Sequence, residues 1–485
     1  MGHTAYSSEK LMNNYDAESQ EQRLDRKLTP LNVWSMAFGC VIGFGAFMMP
    51  GTVFLKRAGT LGTLIAMQLG AFVMLIISYS YGHMIKMFPV AGGEFVFAKL
   101  TFGKKHGFLC AWFLGMSYLS LVPVNANAIA VLFRVLFGGI FQIKFLYNIA
   151  GDNIFLGELI IALTAVMLFA VINVFNIKVS GIIQTVLVLF LILGVIILLF
   201  AALLSPLTSA ANLQPMFHPV EHGNSVYRDI LQVLSVSAIA PWVFVGFDTI
   251  PQLSEEANFS TDKVKVLMDT SILCGCFVYI SLTLIAASYV PDSYADWAEY
   301  IDDLKNIHGL KSAPLIFTSY KMMGKAGLFI VGISALCAML TGILGFYTAT
   351  SRLLYSLARE KMIPDWFGKL NKYHAPMNAN LFCMAVSIII PFAGRNLLGW
   401  AVDMSSIGGA IGFGYTSLAA RVYAVREHKN DIAIFGTLGF VFSVLFAVIL
   451  FVPLPFIPGV SLSFEALLCF VAWTLLGAVF YRISQ

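Results

Sequence analysis

A chain of 485 residues that is 59% hydrophobic and only 12% charged has about half the charge density of a soluble globular protein. Apolar runs of roughly 20 residues recur along its length, so it reads as an all-α polytopic membrane protein with membrane lipid as its surroundings. The net charge of +4 is small and no basic cluster with interleaved aromatics occurs, so nucleic acid is not an expected partner.

Residues 1–30 are polar, lack the short apolar core of a signal peptide and read as a cytosolic tail. Twelve spans follow, at about 31–56, 61–86, 107–134, 156–176, 180–204, 229–253, 266–290, 322–357, 378–394, 398–421, 431–452 and 461–481. The first five (31–204) and the next five (229–421) form two halves, and residues 431–485 supply the last two spans and a short tail. Two connections stand apart: an amphipathic segment in 86–106, too polar to span, and an acidic-aromatic loop in 291–321 that is long enough for short helices. With the N-terminus inside, cytoplasmic segments hold 20 of the 30 lysines and arginines. That asymmetry predicts both termini in the cytoplasm of a cell whose plasma membrane holds the protein, a bacterial inner membrane being the expected setting.

The first span contains "CVIGFGAFMMPG" (40–51), with Gly43, Gly45, Pro50 and Gly51. The sixth, running the opposite way, contains "PWVFVGFDTIPQL" (241–253), with Gly246, Asp248 and Pro251. Both residue types weaken a helix interior, and their matching places in two halves point to an inverted-repeat transporter and its binding site. At Gly43 and Gly45 the chain can unwind without a Cβ penalty, with a new half-helix expected near Ala46 and Pro50 close to its first turn. Asp248 is a natural N-cap for a half-helix beginning at Thr249; an ionisable group at this depth is also a functional candidate, for a substrate amine or for a proton. Unwound backbone at mid-membrane is tolerable where it lines a cavity. The first break would direct a positive helix end to an anion such as a carboxylate, and the second would offer carbonyls from Trp242 to Val245 to an ammonium. A zwitterion suits both. Gly39 and Gly43 also form GxxxG, which by itself serves close helix packing.

With these residues in view, the chain resembles the amino acid–polyamine–organocation (APC) superfamily over about residues 30–425. The resemblance rests on "GCVIGFGAFMMPG", "FPVAGGEFVFAKLTFG", "FVGFDTIPQLSEE" and "SRLLYSLAREKMIPDWFGKLNKYHAPMNA", in that order. It implies a LeuT-type fold of two inverted five-helix repeats, with spans 1, 2, 6 and 7 rocking against 3, 4, 8 and 9. It implies a permease for amino acids or related amines. It places carboxylate contacts on the backbone around Gly43, Phe44 and Gly45, and amine contacts on carbonyls near Val243, Phe244 and Val245; Ile42 and Trp242, next to these stretches, are further candidates for substrate contact. Phe247 resembles the aromatic gate. Three departures are visible. Phe44 stands where many members have serine, the fifth span has no lysine, and "ANFS" follows Glu255-Glu256 where the family often continues Lys-Asn-Pro.

In the third span Asn125 and Asn127 point in different directions on a helix, so one of them faces the site at most; Tyr118 is a further candidate from the same span. Thr348, Thr350 and Ser351 could offer oxygens to sodium or bond back to their own helix. Arg352 and Arg359 read as cytosolic-end anchors, and Trp400 and Asp403 as the outer end of span ten. No GxSxG, HExxH or GxxxxGK[ST] pattern occurs, the eight histidines do not cluster, and the seven cysteines lie in apolar context, with Cys274-Gly-Cys276 lacking a paired second motif. Neither an enzyme nor a metal or cofactor protein is expected. The expected protein is a secondary transporter of a small neutral amino acid by proton symport or exchange, with an organic amine or polyamine as the alternative cargo, sodium as the less favoured ion, and a channel or membrane sensor as the reading outside that class.

Overall fold

The computed structural model describes residues 24–89, 92–149, 151–219, 225–394, 397–452 and 461–484; the expected tail thus lies mostly outside the described residues. The helix α1 (Pro30–Val41) begins where the sequence provides a reciprocal cap: Asn32 N–H donates to Thr29 Oγ1 at 3.3 Å and Thr29 N–H to Asn32 Oδ1 at 3.2 Å, with Pro30 in the first turn. It stops at the glycine cluster. A six-residue helix α2 (Phe44–Met49) and a wide π turn (Pro50–Phe54) then lead into α3 (Leu55–Met87), which folds back at Gly59. That turn needs φ +71°, and a Cβ there would meet the backbone of Phe217 at 2.6 Å, so only glycine fits.

Next come α4 (Glu94–Phe102), the long α5 (Lys104–Phe137) with Pro123 inside it, α6 (Leu156–Val174) and α7 (Ile177–Leu204). The second half opens with α8 (Ser225–Ser237), the one-turn α9 (Ala240–Phe244) and tight 3₁₀ turns over Phe247–Leu253. It continues through α10 (Asp262–Ala287), α11 (Trp297–Asp302), α12 (Pro314–Met323), α13 (Lys325–Arg359), α14 (Met377–Ile389) and α15 (Leu397–Arg426), and α16 (Asn430–Phe451) and α17 (Phe464–Ile483) follow. Among the described residues eight helical runs are long and apolar enough to cross a membrane. One of them, Phe44–Met87, joins the second part of expected span one to span two. Expected spans six, nine and ten fall outside that set. Six is interrupted, and nine is the shorter Met377–Ala393. The protein is a mostly helical, multi-pass membrane protein.

Two expectations need correction. The connection after α5 folds as an antiparallel hairpin of β1 (Phe145–Ile149) and β2 (Asp152–Phe155), so the chain is not purely helical; its aromatic and β-branched residues favour a pleated ribbon. The 86–106 segment is not amphipathic in place. Glu94 to Ala98 are all buried and the rest of α4 is half-buried, because α4 is wedged between α5 and α15.

In the core α13 packs on α5 and α7, α15 packs on α5, and α10 packs on α3, while α1 and the 247–253 turns lie between these long helices. At one end the bundle is tied by ion pairs. Arg352 and Glu256, each 1% exposed, pair through Nε and Nη2 at 3.1 and 3.0 Å, and Arg359 grips Glu255 at 3.1 Å. The segment before α1 lies over this lock, with Leu24 N–H on Glu255 Oε1 at 2.9 Å and the N–H groups of Lys27 and Leu28 on Glu256 O at 3.0 Å. Removing one member of a buried pair strands the other charge, which typically costs about 3–5 kcal/mol. Glu256→Gln should therefore destabilise the protein by that order, read as a lowered thermal midpoint in detergent, and pairing Glu256→Leu with Arg352→Met should recover most of the loss.

Candidate substrate site

The two helix breaks meet. At the first, Gly43 is extended (φ −93°, ψ −159°) and α2 starts at Phe44, two residues before the expected start. The reason is Asn125 of α5. Its Oδ1 accepts the Phe44 N–H at 3.1 Å, while its Nδ2 donates to Leu121 O at 2.8 Å. Asn125 occupies the space a Gly43 side chain would need, since a Cβ there would sit 3.0 Å from Oδ1. A Cβ on Gly45 would run into the Trp242 ring, which also lies 5.9 Å from the Phe44 ring.

At the second break α9 ends at Phe244, and Gly246 turns the chain at φ +127° with its α-carbon against the backbone of Cys40 and Val41, a Cβ there meeting Val41 N at 2.7 Å. A side chain is excluded by both conformation and space. Asp248 does not cap a helix starting at Thr249 as expected. The turns begin two residues earlier, at Phe247, so its Oδ1 reaches back to accept the Gly246 N–H at 2.7 Å. Tyr118 of α5 donates its hydroxyl to Asp248 Oδ2 at 2.8 Å and lies 3.0 Å from the Asp248 carbonyl oxygen. One helix, α5, thus braces both breaks, with Asn125 on the first and Tyr118 on the second.

Two cavities, of about 610 and 340 Å³, end on Phe44, Met49 and Val53. The larger is walled by Arg57, Ile239, Trp400, Asp403 and Ser406, the smaller by Phe47, Ala128, Val131, Pro314 and Leu315. Ile42, Gly43, Gly45, Val243, Val245 and Asp248 line neither. Phe244 turns its ring toward Tyr279 and the surface of α3 at Gly70. Phe247 stacks on Phe413 at 5.4 Å and meets Tyr81 edge-on at 5.7 Å. Phe44 is the ring that borders both cavities, and Phe247 borders neither and packs with Phe413 and Tyr81.

Asn127 lines a separate small recess near Arg134 and Glu158, away from the breaks. The hydroxyls of Thr348, Thr350 and Ser351 bond back to Leu344 O, Phe346 O and Thr348 O at 2.7–2.9 Å. Sequence reasoning placed Trp400 and Asp403 at the outer end of span ten but assigned them no role; both form part of the larger cavity's wall. Arg57 beside them carried no motif.

The sequence profile described as amino acid permease matches residues 28–479. The chain belongs to the amino acid permease family. This permease is 25% identical to a branched-chain amino acid permease of Lactococcus lactis, over 84% of each chain. It is 23% identical to a methylthioribose transporter of Bacillus subtilis, over 97% of this chain and 96% of that one. An arginine/ornithine antiporter of L. lactis is 24% identical over 75% of this chain and 73% of its own. The relatives are transporters, amino acid permeases prominent among them, and their named cargoes differ in charge.

The tight fit of Asn125 against Gly43 makes a direct prediction for this permease. Overpacking a site of this kind costs about 1–3 kcal/mol, so Gly43→Ala should destabilise the protein within that range and Gly43→Leu by more. Thermal unfolding of the variants in detergent checks this.

Proposed function

We propose that this permease moves a small neutral amino acid across the plasma membrane by alternating access around the two helix breaks. The observation that carries the reading is the meeting of those breaks, each braced by α5, beside a Phe44–Trp242 contact whose Phe44 borders two cavities. On this reading the chain is a twelve-span, LeuT-type protein of two inverted five-helix repeats, with both termini in the cytoplasm. The charged lock of Glu255, Glu256, Arg352 and Arg359 then closes the cytoplasmic side, while the cavities above Phe44 open outward. Phe44 and Trp242 would separate to admit the substrate. Its ammonium would meet the carbonyls of 243–245 near Asp248, its carboxylate the backbone of 42–45, and its side chain the aromatic wall. The wall favours an apolar side chain.

One observation favours a second cargo, an amine without a carboxylate. Asn125 already holds the Phe44 N–H, which leaves the anion cradle partly filled, while the carboxyl of Asp248 remains beside the amine position. Thermal unfolding in detergent separates the two. A ligand that binds only the folded state adds about 2.7 kcal/mol of stability at 100 times its dissociation constant. L-leucine should raise the midpoint and 3-methylbutylamine should not. The reverse pattern would replace the amino acid reading by the amine one, and no shift with either would remove both.

A further inference from the structure

A groove of about 350 Å³ runs between α15 and α16, with one end at the first turn of α5. Small residues hollow it out: Ala410 and Gly414 on α15, Ser443 and Ala447 on α16. In each pair the two lie four positions apart, so they share one face of their helix. The Ser443 hydroxyl is turned back onto Gly439 O at 2.8 Å, which leaves the trough apolar. Val444 on its rim is 44% exposed, so the open side faces the membrane. Phe102, His106 and Tyr415 close the α5 end. Their rings lie 5.9–6.1 Å apart, and His106 Nδ1 is 3.0 Å from the Tyr415 hydroxyl.

Cations gather at that end. Lys104 and Lys105 open α5 next to His106, and both are exposed. Arg421, also exposed, continues the α15 stripe of Gly414 and Leu418 by one more turn. Its backbone lies against α16 at Gly436, one turn before Phe440 of the groove. Among the described residues none of these three cations forms a salt bridge. The nearby carboxylates are engaged elsewhere: Glu360 with Lys99 of α4, Glu427 with Lys429, and Asp431 with the Tyr79 hydroxyl. The Lys99–Glu360 pair also sets this end of the groove at the end of the bundle that carries the charged lock, since Glu360 follows Arg359. An apolar recess facing hydrocarbon stays dry, so it is filled by packing a chain into it. Cations at a membrane surface attract anionic headgroups within a Debye length. A phospholipid has the same layout, an apolar chain ending in a phosphate.

We propose that this groove binds one anionic phospholipid, with an acyl chain lying along Ala410, Gly414, Ser443 and Ala447 and the phosphate held by Lys104, Lys105 and Arg421. His106 and Tyr415 stand between the two, at the interfacial level where amphipathic rings are favoured. The lipid comes from the leaflet at the lock end, which is the cytoplasmic one on the topology proposed above; the binding itself does not depend on that orientation or on transport. The groove reaches the centre of the protein through α15. Ile411 and Gly414 look into the groove, while Phe413 between them points inward and stacks on Phe247 of the 247–253 turns at 5.4 Å. A seated chain fills the space beside that contact and supports the helix that makes it. Bound lipid therefore stabilises the folded arrangement around the second break.

The test follows thermal unfolding of the full-length protein in a neutral maltoside detergent as dioleoylphosphatidylglycerol or dioleoylphosphatidylcholine is added. A ligand that binds only the folded state raises the midpoint. The anionic lipid should raise it at mole fractions where the zwitterionic lipid does not. One Lys or Arg near a membrane surface is worth about fivefold in binding. Lys104→Gln with Lys105→Gln should therefore raise the mole fraction needed for half the shift about 25-fold, and adding Arg421→Gln should raise it about fivefold more. Ala447→Phe, which fills the trough and leaves the cations in place, should also lose the shift. Lys178→Gln with Lys369→Gln, exposed lysines that line no part of the groove, should keep it. No shift, or equal shifts with the two lipids, would overturn the proposal. So would a shift that survives in the triple variant or in Ala447→Phe, or one lost equally in the Lys178 and Lys369 pair. The same shift from inorganic phosphate alone would mark a site for a free anion and contradict a lipid one.

Discussion

Backbone N–H and C=O groups held away from water must be paired, and a helix broken in the middle of a bundle leaves several without their usual partners. Two breaks place that demand at one point in this permease, and side chains meet part of it. Asn125 takes the Phe44 N–H, Asp248 takes the Gly246 N–H, and Tyr118 in turn holds Asp248. The rest of the central architecture follows from these bonds. The helix α5 must cross both breaks to deliver Asn125 and Tyr118, and Gly246 must be glycine because it is pressed against Cys40 and Val41. Each hydrogen bond of this sort contributes only about 1 kcal/mol net, while an orphaned buried group costs about 1–3 kcal/mol. The breaks persist because they are braced rather than because they are strongly stabilised.

The central breaks and the Glu256 end of the bundle use different chemistry. Around Phe44 the closure is aromatic and apolar, with Trp242 beside it and cavities above. Around Glu256 the closure is ionic, with the 24–28 segment laid across it. A desolvated ion pair adds little net stability compared with apolar packing, yet breaking it is expensive. On the proposed alternating-access reading, such a pair suits an end that is either wholly closed or wholly open. Aromatic contact tolerates intermediate positions and can accept a substrate side chain in place of a neighbouring ring.

Much of the central site was legible in the sequence because its signals are local. Gly43, Gly45, Gly246 and Asp248 announce breaks through their own backbone preferences, and the structure places both breaks side by side. The choice between Asn125 and Asn127 was not local. It depends on the rotation of α5, which sets Asn125 against Gly43 and sends Asn127 to a different recess. The precise start of α2 was missed for the same reason, since a side chain 81 residues away takes the first N–H. Arg352 and Arg359 looked like anchors, but their partners lie 96 and 104 positions away in the chain. Glu94 drew no attention because a glutamate beginning a polar connection is ordinarily solvated. Only the wedging of α4 against α5, α15 and the 247–253 turns buries it. A charged residue directly after the "AGG" of that segment was the one available signal.

The claim that joins these observations is that substrate binds between the two breaks, behind Phe44 and Trp242. A structure of the permease determined with L-leucine bound tests it most directly. Ligand density touching the backbone of 42–45 and of 243–245, with the Phe44 and Trp242 rings parted around it, is the expected result. Leucine resting instead in the outer cavity beside Arg57, Trp400 and Asp403, over an intact Phe44–Trp242 contact, would contradict it.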